Sequence, residues 1–190
     1  MFRKLLLSAP LLVAASIVHA VDAPPAMKAF VETDVMAWAQ GANVVDAINA
    51  QNTQTSGASA AQIEEWDTQW RGEVGAASQP LISEVMGHPL SAFLSEQVEA
   101  AGGRITEIFV MDAAGLNVAA SDVTSDYWQG DEDKHAKTYG AGAGAVFVDE
   151  VEFDESAQTY QGQVSVALTD PATGAVIGAM TIGLNAEAFF

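Results

Sequence analysis

The chain has 190 residues, with 25 acidic side chains against seven basic ones, a formal net charge of −18 and no cysteine. That charge excludes nucleic acid and anionic membrane surfaces as partners, since both are bound through clustered Lys and Arg. The lack of cysteine excludes disulfides, thiol catalysis and thiolate metal sites, so packing alone has to hold the fold.

The first element is an export signal. Arg3 and Lys4 precede an apolar run from Leu5 to Val18, and Val18-His19-Ala20 is a small-residue cleavage site. The run is interrupted by Pro10 and falls short of the ~20 residues that span a bilayer. The pattern predicts cleavage near Ala20 and a soluble, exported, periplasmic chain forming one domain over 21–190, of a size that supports a real core. Without Arg3 and Lys4, five bases (Lys28, Arg71, Arg104, Lys134 and Lys137) face the 25 acids. This surplus reads as a solubility device.

Residues 21–103 read as helical. Met27, Phe30, Val31, Trp38, Gly41, Val44, Val45 and Ile48 recur every three or four positions, which predicts one helix of about 25 residues with an apolar stripe. Pro24 and Pro25 suit its first turn. The polar tract "NAQNTQTSGASA" predicts a loop after it. Ile63, Trp66 and Trp70 mark a shorter helix, and "GHPL" breaks the segment that follows. "SAFLSEQVEAAGG" predicts another helix with Ser91 as N-cap and glycines at its end. Trp38, Trp66 and Trp70 read as core.

From Arg104 the period changes to two. "ITEIFVMD", "LNVAAS", "AVFVDEVEF", "TYQGQVSVALT" and "AVIGAMTIGL" predict five strands over 104–190, with "DAAG", "DESAQ" and "DPATG" as turns. Between the second and third strands the chain inserts residues 121–144. A hairpin, an insertion and a three-strand meander imply an antiparallel sheet with segregated helices, an α+β fold. A long excursion that is rich in aromatics points to function.

The run "SDYWQGDEDK" with the hairpins "FVMDAAGLNVAAS" and "VALTDPATGAVIGAM" resembles the extracytoplasmic PAS-like sensor domains called Cache domains. The resemblance covers residues 24–186. It implies a five-stranded antiparallel sheet with a long N-terminal helix packed behind it, and a small-molecule pocket between the sheet and the excursion. It also implies a membrane-bound kinase or chemoreceptor as signalling partner, and a homodimer through the N-terminal helix. With no second span or output module, the chain resembles a stand-alone periplasmic form.

Within that frame Tyr127 and Trp128 are the first candidates for a pocket wall, as flat aromatic surfaces with a polar tip. Lys134 is the candidate for a ligand carboxylate, because cations are scarce here and an ammonium is a mobile point charge. Lys137 reads as the partner of nearby acids. Tyr139, Phe147 and Asp149 stand behind these, with Asp149 or Asp154 as a second carboxylate. Amino-acid-binding members carry an arginine before a Trp-Tyr pair, whereas "KHAKTY" has Tyr139 alone, so the resemblance favours an organic anion over an amino acid.

Other chemistry is weaker. Asp131, Glu132, Asp133 and His135 are oxygen-rich enough for a divalent cation but match no known loop spacing, so no metal is expected. "GAGAGA" has neither the preceding strand nor the GK[ST] ending of a phosphate loop. No nucleophile motif is present, and neither enzymatic activity nor a cofactor is expected. The competing reading is a structural or inhibitory interaction domain whose pocket is filled by its own side chains.

Overall fold

The computed structural model describes residues 22–154 and 158–190; the expected export signal lies outside them. The helices are α1 (Pro25–Phe30), α2 (Met36–Ala39), α3 (Ala42–Thr55), α4 (Ala60–Glu73), α5 (Pro80–Met86), α6 (Pro89–Ala100) and α7 (Asp133–Ala136). The strands are β1 (Ile105–Met111), β2 (Asn117–Ala120), β3 (Val146–Val148), β4 (Glu152–Asp154), β5 (Thr159–Thr169) and β6 (Val176–Asn185). They form one open antiparallel sheet in the order β2-β1-β6-β5-β3, with β4 also on β5. The fold is α+β and PAS-like.

The sheet alternates as its period requires. Ile108, Val110, Val164, Val166, Met180 and Ile182 face the N-terminal helices, where Met27, Val31, Val35, Val44 and Ile48 meet them in one buried cluster. The apolar stripe of those helices is therefore spent on the chain's own core. The other face carries Phe109, Met111, Ala120 and Ala179, and a buried Ser165–Thr181 hydroxyl pair at 2.9 Å. Residues 121–144 cover that face.

Four expectations are corrected by the structure. The long helix is not continuous. A π-helical turn at Val31–Val35 adds a residue to the winding, and Gly41, extended at ψ 154°, starts a new helix. Glycine is a poor helix former, and the π turn keeps Val31 and Val35 both on the buried side.

The polar tract is helical as far as Thr55. Its polar side chains hold the sheet: Asn52 Nδ2 donates to the Ile177 carbonyl (2.8 Å), and Asn52 Oδ1 accepts from Ala113 N–H (2.8 Å). Tertiary hydrogen bonds here outweigh weak helix propensity.

α6 begins three residues before its expected start. His88 is the N-cap, its Nδ1 accepting from Leu90 N–H, and Pro89 takes the first turn. Ser91 is instead buried, donating to the Val85 carbonyl and accepting from Ala120 N–H.

The expected third strand is two strands, which makes the sheet six-stranded. Val148 pairs with Val164 and Glu152 with Gln161, so three residues stand opposite two and form a bulge around Val151.

Candidate functional site

The excursion is positioned from two sides. Along the β1–β2 hairpin, Asn117 N–H donates to the Tyr127 carbonyl (3.0 Å) and Gln129 N–H to the Gly115 carbonyl (2.8 Å), which closes a bridge between Leu116 and Trp128. Gly115 has φ +84°, and a Cβ there would collide with Gly130, so only glycine admits this approach. Trp128 seals the corner by donating Nε1–H to the Ala114 carbonyl (2.9 Å).

From the other side α4 grips the same segment. Asp67 is buried and its Oδ1 accepts from the N–H groups of Tyr127 (2.9 Å) and Trp128 (3.0 Å), while Oδ2 pairs with Arg71. Trp70, fully buried, donates Nε1–H to the Thr124 carbonyl (2.8 Å) and stacks on the Tyr127 ring at 5.4 Å. The α4–α5 joint is fixed by Glu73, whose carboxylate accepts from Ile82 N–H (2.9 Å) and Gln69. Burial pushes the Glu73 pKa up, but these hydrogen bonds outweigh it and hold the carboxyl below its ordinary value.

Two cavities result, and they divide the sequence-predicted residues. The first, about 400 Å³, lies between the sheet face and the excursion, with Glu107, Phe109 and Gln163 on one side and Asp126, Gln129 and Lys134 on the other. The Lys134 side chain is 14 % exposed; Nζ lies 2.7 Å from Glu132 Oε2, 3.2 Å from Gln129 Oε1 and 5.5 Å from the Phe109 ring centre. Glu107 Oε1 accepts from the Gln161 (2.7 Å) and Gln163 (3.0 Å) amides. The second cavity, about 420 Å³, lies between α3, α4, α5 and β2, and Tyr127 lines it.

Tyr127 and Lys134 therefore line different spaces. Trp128 lines neither and packs beside Trp70, Ile82 and Leu116. Tyr139 stacks on His135 at 5.0 Å, within the excursion. Phe147 is half-buried beneath Lys137 Nζ (4.5 Å). Asp149 is exposed and borders a separate groove of about 230 Å³ with Glu152 and Gln161.

The acid run does not converge on a point. Glu132 pairs with Lys134 and Asp133 with Lys137, and His135 turns inward to the Asp112 carbonyl (3.2 Å). Among the described residues no three acid or histidine side chains group as metal ligands do. Burial lowers the His135 pKa despite that contact and the nearby Asp112 charge.

Sequence reasoning missed Glu107, Phe109, Asp126, Gln129 and Gln163. One signal existed: Glu107 and Gln163 are long polar side chains within strands, in phase with one face. Asp67 gave no signal, since a single acid in an acidic helix is unremarkable.

No family model matches the chain, and no curated protein matches it. Among solved structures it is similar to the sensor domain of the Vibrio cholerae histidine kinase DctB (12 % identity, TM-score 0.45, 86 % of this chain and 54 % of that one). It is also similar to the sensory domain of the Campylobacter jejuni chemoreceptor Tlp3 with isoleucine bound (12 %, 0.40, 87 % and 65 %). A third is the ligand-binding domain of the Pseudomonas aeruginosa amino acid chemoreceptor PctC in complex with GABA (12 %, 0.42, 82 % and 63 %). The chain spans between about half and two thirds of the length of each. Among the described residues no helix is long and apolar enough to cross a membrane.

Proposed function

We propose that the chain is a periplasmic ligand-binding sensor module, and that its ligand is a small organic anion held in the cavity between the sheet and the excursion. The observation that carries this reading is the Lys134 ammonium, the cation of that cavity, poised over Phe109 with its own position fixed by Gln129 and Glu132. A carboxylate entering there gains a charge-assisted hydrogen bond in a partly desolvated wall. Glu107 and Asp126 line the same space and call for hydrogen-bond donors on the ligand, so a carboxylate bearing hydroxyl or ammonium groups complements it best.

The open volume of about 400 Å³ supports a ligand site over a self-filled pocket, since small-molecule sites start near 300 Å³. Signalling then runs through a membrane-bound kinase or chemoreceptor that distinguishes the loaded state, which requires the ligand to favour one conformation.

A thermal-shift panel of small carboxylates, with and without hydroxyl or amino groups, tests the reading. A ligand at 100 times its Kd adds about 2.7 kcal/mol, a rise of roughly 5–10 °C at this size. The expected result is a hit that Lys134→Gln abolishes. A cooperative melt that no carboxylate moves overturns the reading in favour of an interaction domain.

A further inference from the structure

The second cavity carries opposite chemistry. Trp66, Glu84, Tyr127, Gln51 and His88 stand among its lining residues, and no lysine or arginine does. Tyr127 is 7 % exposed, and its hydroxyl has no hydrogen-bond partner among the described residues. The hydroxyl is not sealed off but opens onto the cavity, where its oxygen is available to accept from a ligand.

The polar groups around it are chiefly acceptors. Gln51 spends its amide nitrogen on Asp112 Oδ2 (3.2 Å) and on the carbonyls of Leu116 and Asn117 (both 3.3 Å), which leaves its Oε1 to accept. Glu84 presents a carboxylate from an exposed position on α5. His88 commits Nδ1 to Leu90 N–H, so Nε2 is the nitrogen that carries hydrogen in its neutral form.

Behind this wall Asp112 is fully buried. It accepts from Ala114 N–H, Leu116 N–H, Thr55 Oγ1–H and Gln51, and has no ion pair among the described residues. An unneutralised carboxylate near a cavity without cations makes its interior favourable to positive charge. Burial, with the Asp112 and Glu84 charges behind it, also holds the Tyr127 phenol well above its usual range, so it stays a neutral hydroxyl.

We propose that this cavity is a second binding site, for a small organic cation. Its ammonium N–H groups are accepted by Tyr127 Oη, Gln51 Oε1 and the Glu84 carboxylate, and its alkyl chain lies against Trp66. Aromatic rings favour a cation further, and a volume of about 420 Å³ admits a short-chain amine. The site shares no residue with the anion cavity, so either can stand without the other.

Isothermal titration of the purified protein at fixed ionic strength, with 1,4-diaminobutane and with tetramethylammonium as probes, tests it. The expected result is saturable binding of the diamine, at least tenfold weaker binding of tetramethylammonium, which has no N–H, and at least a tenfold loss of diamine affinity in Glu84→Gln. Tyr127→Phe keeps the stack on Trp70 and is expected to weaken the diamine as well. Lys134→Gln and Glu96→Gln, the latter an exposed acid on α6, are expected to leave it unchanged. The proposal is overturned by the absence of saturable diamine binding, by an affinity that Glu84→Gln and Tyr127→Phe do not move, or by an equal loss in Glu96→Gln, which marks attraction by net charge.

Discussion

The two cavities share one wall. One segment separates them: Thr124, Ser125 and Asp126 line the space that holds Lys134, and the next residue, Tyr127, lines the space that holds Glu84. The first has an ammonium held by fixed acceptors; the second has the Glu84 carboxylate, an unpaired hydroxyl and no ammonium. The chain changes sides between Asp126 and Tyr127, where Asp67 holds the Tyr127 N–H, so two neighbouring residues serve different cavities. The lesson concerns support more than composition. Both cavities depend on α4, which holds that segment through Asp67 and Trp70.

The largest expected effect breaks the shared wall. Trp70→Ala deletes a fully buried ring and the hydrogen bond to Thr124, and is expected to cost about 3–5 kcal/mol in a denaturant melt. Binding at both cavities is expected to fall with it. If one cavity keeps full affinity in that variant, the two do not share support.

Asp67→Ala is a milder version. It strands the Tyr127 and Trp128 N–H groups without replacing the acceptor, at a cost of about 2–3 kcal/mol. Asp67→Asn, which retains an acceptor oxygen, is expected to recover much of that loss. Equal destabilisation by both variants would assign the effect to the Arg71 pair instead.

Lys134→Gln sharpens the comparison from the ligand side. Loss of a charge-assisted hydrogen bond of about 1.5–3 kcal/mol corresponds to roughly a 10- to 150-fold weaker anion in titration. Its cost in stability is expected to stay below about 1 kcal/mol, because its ion-pair partner Glu132 is partly exposed.

The smallest effects are read from pH. The folded state holds His135 neutral, its pKa lowered by burial. Its contribution to stability is therefore full above the unfolded value of about 6.5 and is lost as pH falls through the lowered folded value. The slope is at most about 1.4 kcal/mol per pH unit for one proton. His135→Gln is expected to flatten the stability profile as pH falls below about 6.5. Glu73 follows the same sign at lower pH: its stabilisation is present above the ordinary carboxyl value and is lost as pH falls through its depressed folded value. Glu73→Gln is expected to remove that acid limb and leave the His135 slope in place.

Much of the sheet was legible in the sequence. The change from a period of three or four to a period of two at Arg104 marks its start, and "DAAG" and "DPATG" fall where the hairpins turn, with Gly115 at φ +84° and Gly174 at φ +71°. These are local signals, set by alternation and by turn residues that few others can replace. The helical half was read less well, for the opposite reason. Gln51, Asn52 and Thr55 have weak local preferences, and their helix is held by hydrogen bonds to residues 57 to 125 positions away in the chain. Ser91 likewise has the composition of a cap and the location of a core bridge.

The same division runs through the candidate sites. The sequence by itself determined that residues 121–144 are an aromatic, charged excursion in an antiparallel sheet, and that cations in the chain are scarce enough for Lys134 to matter. Only the tertiary structure decided which side chains share a space. Tyr127 and Lys134 are seven positions apart, yet the bridge at Leu116 and the grip of Asp67 turn one toward the helices and leave the other at the sheet. Side-chain direction in an irregular segment follows from its long-range hydrogen bonds, and no local pattern of residues encodes them.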